Sequence, residues 1–155
     1  MQHVEILENF VFIAGCTGWC SAQILKVLID IALNKKFNPE RIMGAGGMPS
    51  SHSSTVTSLV VAVALQEGFK SPLFALAFFF AFIVMYDATG VRRETGKQSQ
   101  ILNKILSENI FELEGEEFDK KLREFIGHTP LQVVCGSVLG VITTIAVAWY
   151  MGVLS

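Results

Sequence analysis

Three runs of this chain, residues 10 to 33, 71 to 89 and 130 to 154, carry very few charges, and each approaches the length at which an α-helix crosses a bilayer. A hydrocarbon core of ~30 Å takes about 20 predominantly apolar residues at the helical rise. A fourth run, 50 to 67, is shorter and opens on the polar stretch "SSHSS". These runs predict an all-α integral membrane bundle of about four transmembrane helices, forming one domain over residues 1 to 155. With 51% hydrophobic and only 17% charged residues, the composition argues against an ordinary soluble domain. The first run follows Glu5 and Glu8, lacks a basic leading region and has no small-residue cleavage site, so it is expected to be a helix and not a secretory signal.

The segments between the runs set the connections. Residues 34 to 48, "NKKFNPERIMGAGGM", contain Pro39 and three glycines and read as a loop. Pro49 suits the first turn of the second helix, where a missing N–H is no loss. The turn "EGFKSP" (67 to 72) is short enough to make the second and third helices an antiparallel hairpin, and Gly90 marks the end of the third. Residues 94 to 127 differ in kind. Ile101, Leu102, Ile105 and Leu106, then Phe118, Leu122, Phe125 and Ile126, recur at helical spacing among many charges. That pattern predicts amphipathic helices on the membrane surface or over the bundle, divided near Gly115, in a surface insertion. Cys16, Cys20 and Cys135 read as small packing residues; no histidine near the first two would complete a metal site.

Four successive spans put the loop 34 to 49 and the segment 90 to 128 on one side of the membrane, and both termini with the 67 to 72 turn on the other. The first side holds ten of the twelve Lys and Arg residues. The positive-inside rule makes that side cytoplasmic, in a bacterial inner or plasma membrane.

The same side gathers the polar groups that an apolar span would otherwise exclude. Ionisable side chains within a span cost ~2.5–3.5 kcal/mol each on insertion scales and tend to line cavities or active sites. Gln23, Lys26 and Asp30 share one face of the first helix, either as an internal Lys26–Asp30 pair or with the Lys26 ammonium reaching the membrane mouth. Ser50, Ser51 and His52 open the second helix, whose first backbone N–H groups can face an anion or simply be capped. The third helix ends at Asp87, followed by Arg92 and Arg93, and the fourth is announced by His128. Guanidinium groups suit phosphate oxygens, and paired arginines also anchor helix ends. Convergent cations, an amide cradle and two histidines fit hydrolysis of a phosphoryl group through a covalent intermediate.

"GGMPSSHS", "YDATGVRRETGKQ" and "GHTPLQVVCGSVLG" together resemble the divergent type 2 phosphatidic acid phosphatase family, membrane proteins distantly related to acid phosphatases and vanadium-dependent haloperoxidases. The resemblance extends from "AQILK" (22 to 26) to Gly140. It implies that His128 is the nucleophile that forms a phosphohistidine and that His52 is the general acid protonating the leaving oxygen. It further implies that Lys26 and Arg92 or Arg93 neutralise phosphoryl oxygens, with Ser50 and Ser51 at the phosphate. Lys35, Lys36 and Arg41 compete with Lys26 for the role of the first cation. The sequence departs from the superfamily pattern at two points. Arg93 and His128 are separated by 34 residues, where the superfamily keeps the two close together. Gln132 stands where an aspartate normally orients the nucleophilic histidine, and either Gln132 or Asp87 takes that part.

The expected activity is therefore metal-independent and cofactor-free hydrolysis of a polyprenyl phosphate or diphosphate, phosphatidic acid or phosphatidylglycerophosphate. The expected partners are that lipid, the bilayer and, since four spans form a thin bundle, further copies of the chain; no nucleic acid is expected. A non-catalytic lipid-phosphate binder or transporter, or a structural membrane subunit, are the alternatives.

Overall fold

The computed structural model describes residues 5–35, 47–107 and 127–154; the side chains of residues 92, 93, 106 and 107 are outside that description. All secondary structure among the described residues is helical. A 3-10 turn, Glu5–Leu7, leads into α1 (Phe10–Asn34), followed by α2 (Ser51–Glu67), α3 (Pro72–Thr89), α4 (Val91–Ser107) and α5 (Pro130–Tyr150). α1, α5 and the stretch Pro72–Ile105 are long and apolar enough to cross a membrane.

α1, α2, α3 and α5 each start where a side chain takes over an unpaired amide of the first turn. Asn9 caps Phe12 N at 3.0 Å, Ser50 caps Ser53 N, and Ser71 caps Leu73 N ahead of Pro72. Thr129 and Gln132 form a reciprocal capping box at the start of α5. Pro130 occupies the first turn of its helix, whereas Pro49 does not: Ser50 is the N-cap, so Pro49 lies one residue before it. The last helix stops at Tyr150, short of residue 154, because the chain turns at Gly152, whose φ is 71°. Of the two amphipathic helices expected over residues 94 to 127, the first is α4; the second falls outside the described residues.

α2 lies against α1, α3 and α5, and α1 also packs on α5. Its central place explains its composition. Ser50, Ser51, Ser53, Ser54 and Ser58 are all buried, and hydroxyl groups tie the three helices together. Ser54 Oγ donates to the Gly18 carbonyl at 2.8 Å, Ser58 Oγ to the Gly140 carbonyl at 3.2 Å, and Thr144 Oγ1 to the Ser58 carbonyl at 3.4 Å. Such bonds need backbones at close range, which small residues permit. A Cβ at Gly136 would collide with the Ser50 carbonyl oxygen, and one at Gly140 with that of Ser54. A short apolar cluster of Phe10, Ala14, Ala62 and Ala148 closes the opposite end.

α3 is built differently. Only Ala81 and Ala88 are buried, while Phe78, Phe79, Phe80, Phe82 and Ile83 are exposed on its outer faces. That is the distribution of a helix that meets protein along one narrow edge and hydrocarbon elsewhere. Cys16 and Cys20, expected to pack inside, are exposed, because Ala14, Gly15, Gly18 and Ala22 already fill the inward face of α1; Cys135 is half-buried.

Candidate functional site

The C-terminal part of α1, the start of α2, the end of α3 and the start of α5 meet at one end of the bundle. Backbone bonds between elements fix them there. Ser50 N donates to the Gln132 carbonyl at 3.0 Å, joining α2 to α5, and His128 N donates to the Ala88 carbonyl at 3.1 Å, joining the approach to α5 to α3.

Lys26 is 2% exposed. Its Nζ donates to Gln23 Oε1 at 2.7 Å, one turn earlier on α1, and reaches Ser51 Oγ at 3.5 Å across the helix interface. Asp30 accepts from Asn34 Nδ2 at 2.9 Å, nearer the end of α1. A buried ammonium needs polar partners to offset its lost hydration, and here those partners lead toward the first turn of α2.

His128 is also buried, at 4% exposure, and its Nδ1 lies 3.2 Å from Gln132 Oε1. The same oxygen accepts from Thr129 N at 3.0 Å. A backbone N–H can only donate, so the Gln132 atom at this point is the oxygen, and the imidazole must then donate through Nδ1–H. In the neutral ring the lone pair is consequently on Nε2. His52 is exposed, and its ring stands edge-on to that of His128 with centroids 6.1 Å apart and planes inclined by 62°.

Lys26, Ser51, His52, His128 and Gln132 come together. Ser50 is committed to the α2–α5 junction: it is fully buried, its Oγ accepts from Ser53 N and Ser53 Oγ, and its N–H is taken by Gln132. The amide cradle is thus narrower than expected, reduced at most to the N–H groups of Ser51 and His52. Asp87 is half-buried, one residue before the carbonyl that holds His128 N. Arg92 and Arg93 fall in the first turn of α4, with their side chains outside the described residues, as are Lys36 and Arg41 entirely. Lys35 ends α1 in a left-handed conformation, exposed.

The sequence reading missed the capping box and the contact of Gly47 with Lys26. The first carries a readable signal, Thr-x-x-Gln directly before an apolar run. The second joins a loop to a helix interior and has none.

An apolar helical bundle with three helices long and apolar enough to cross a bilayer, and with a buried lysine and paired histidines gathered at one end, is a membrane protein. Residues 7–143 match the Divergent PAP2 family, and the chain belongs to it. It is 38% identical over 156 residues to a protein of Bacillus subtilis (strain 168) named uncharacterized membrane protein YuiD, covering 95% of this chain and 99% of that one. No solved structure matches.

Proposed function

We propose that the protein hydrolyses a lipid phosphate, a monoester or diphosphate, at the cytoplasmic face of a four-span bundle. The observation that carries the reading is the pair of imidazole rings, 6.1 Å between centroids, at the end of the bundle where the Lys26 ammonium arrives. His128 Nε2 attacks phosphorus and forms a P–N bond as the P–O bond to the lipid breaks. His52, open to solvent, protonates the departing oxygen. Water, deprotonated by His52, then attacks phosphorus, the P–N bond breaks, and inorganic phosphate leaves. Lys26 and Ser51 hold the phosphoryl oxygens on one side, joined by Arg92 or Arg93. Gln132 fixes the nucleophile's tautomer, and Asp87 contributes negative charge near the imidazolium. Ser50 supports the site from below. The fourth span is α2, whose modest apolarity is tolerable because three neighbouring helices screen it from lipid.

The test is phosphate release from a panel of polyprenyl phosphates, phosphatidic acid and phosphatidylglycerophosphate by detergent-purified protein with chelator present. Wild type is expected to turn over at least one of them and His128→Ala none. Equal inactivity of the two across the panel would sink the enzyme reading.

One observation favours a second reading. Gln132 is neutral where a carboxylate would stabilise an imidazolium, so a lipid-phosphate binder or transporter that captures without cleaving fits the same geometry. Saturable, vanadate-sensitive binding of the lipid without release of phosphate would select it.

A further inference from the structure

Gly47 sits in the last part of the loop before α2, at φ 91°, a region that side chains rarely adopt. It also lies on the aliphatic stem of Lys26. A Cβ on Gly47 would come within 3.1 Å of Lys26 Cγ, 3.3 Å of Cδ and 3.9 Å of Cε. The whole side chain is buried at 2% exposure, so a Cβ there would press on a stem enclosed by protein. A push at Cγ and Cδ is passed on to the ammonium, which currently stands 2.7 Å from Gln23 Oε1 and 3.5 Å from Ser51 Oγ.

We infer that Gly47 is a positioning residue for Lys26: its bare backbone closes over the lysine stem, excludes water from it and sets how far the ammonium reaches toward the oxyanion bound beside Ser51. This rests on the phosphate-site reading above. Two independent features support it: the positive φ, which side chains rarely adopt, and the close approach to the stem, on which a Cβ would press at 3.1 Å. Water kept off the stem lowers the local dielectric, so the ammonium acts more strongly on an anion than a solvated lysine would.

The test is orthovanadate affinity of the full-length protein in detergent, read by calorimetry, for wild type, Lys26→Met, Gly47→Ala, Gly47→Asn and the double variant Lys26→Met/Gly47→Ala. Loss of one charge-assisted contact is expected to weaken binding about tenfold or more in Lys26→Met. Both Gly47 variants are expected to weaken it to a similar degree, while adding Gly47→Ala to Lys26→Met changes nothing further. Asparagine tolerates positive φ better than alanine, so a matching loss in Gly47→Asn, with an unchanged melting temperature, identifies displacement of the lysine and not backbone strain. If Lys26→Met loses affinity while Gly47→Ala and Gly47→Asn bind as wild type, or if the two single losses multiply in the double variant, the inference fails and the phosphate site stands. If wild type binds no vanadate, the site reading fails and this inference with it.

Discussion

The most consequential single contact in the site is the one oxygen of Gln132 that serves both Thr129 N and His128 Nδ1. It couples the start of a helix to the state of an imidazole. Gln132→Ala should therefore cost stability and activity together: about 1 kcal/mol for the lost cap, by thermal unfolding in detergent, and a drop in kcat with little change in KM. Gln132→Glu keeps an acceptor in the capping box and should hold stability near wild type. His52 makes a separate prediction. Its removal should slow phosphate release by about 10²–10⁴-fold for a lipid monophosphate, and by clearly less for a substrate with a more acidic leaving group, which is the signature of a general acid. That the two histidines, Lys26 and Ser51 fall at one end of the bundle was legible in the sequence, because successive helices alternate in direction; the roles proposed for them come from the family resemblance. The inward commitment of Ser50 was not legible, since a serine that caps and a serine that faces a ligand read alike. Nor were the surroundings of the two lysines, Lys26 being buried and Lys35 exposed.

The helices were easier to read than their faces. α1, α3 and α5 stand out as apolar runs, and α2 as a run with a proline-serine start, to within a residue or a few at each end. Orientation about the helix axis was another matter. α1 is apolar nearly all round, so periodicity could not tell that Gly15, Gly18 and Ala22 point inward while Cys16 and Cys20 point out. Pro49 and Ser50 each suit a helix start, and only the Ser53 N bond to Ser50 Oγ decides between them. The α2–α5 seam offers its own test. Gly140→Val would drive a side chain into the Ser54 carbonyl and the Thr57 side chain, for an expected destabilisation of about 1–3 kcal/mol. Ser58→Ala removes only a hydroxyl bond to Gly140 and should cost about 0.5–1.5 kcal/mol. Denaturant titration of both in one detergent separates packing from hydrogen bonding.

For the molecule as a whole, helix order brings the end of α1, the start of α2, the end of α3 and the start of α5 to one side, and the contacts between Lys26 and Ser51, Ser50 and Gln132, and Ala88 and His128 agree with it. Which side of the membrane this is can be tested at Lys97, an exposed α4 residue paired with Glu94. Lys97→Cys, in a background with Cys16, Cys20 and Cys135 replaced by alanine, should resist a membrane-impermeant thiol reagent in intact cells and react after permeabilisation. Ready labelling from outside would reverse the orientation. The serine-rich interior of α2 also bears on how the chain is made. A segment of 17 residues with a serine-rich first half, whose Ser54 and Ser58 hydroxyl groups donate to carbonyls of α1 and α5, has fewer apolar residues to offer lipid than its neighbours. In the proposed four-span arrangement its passage into the bilayer is assisted, α2 leaving the insertion machinery alongside the phenylalanine-rich α3 to which it is joined by a short turn, and becoming settled only when α5, made later, arrives to accept its hydrogen bond.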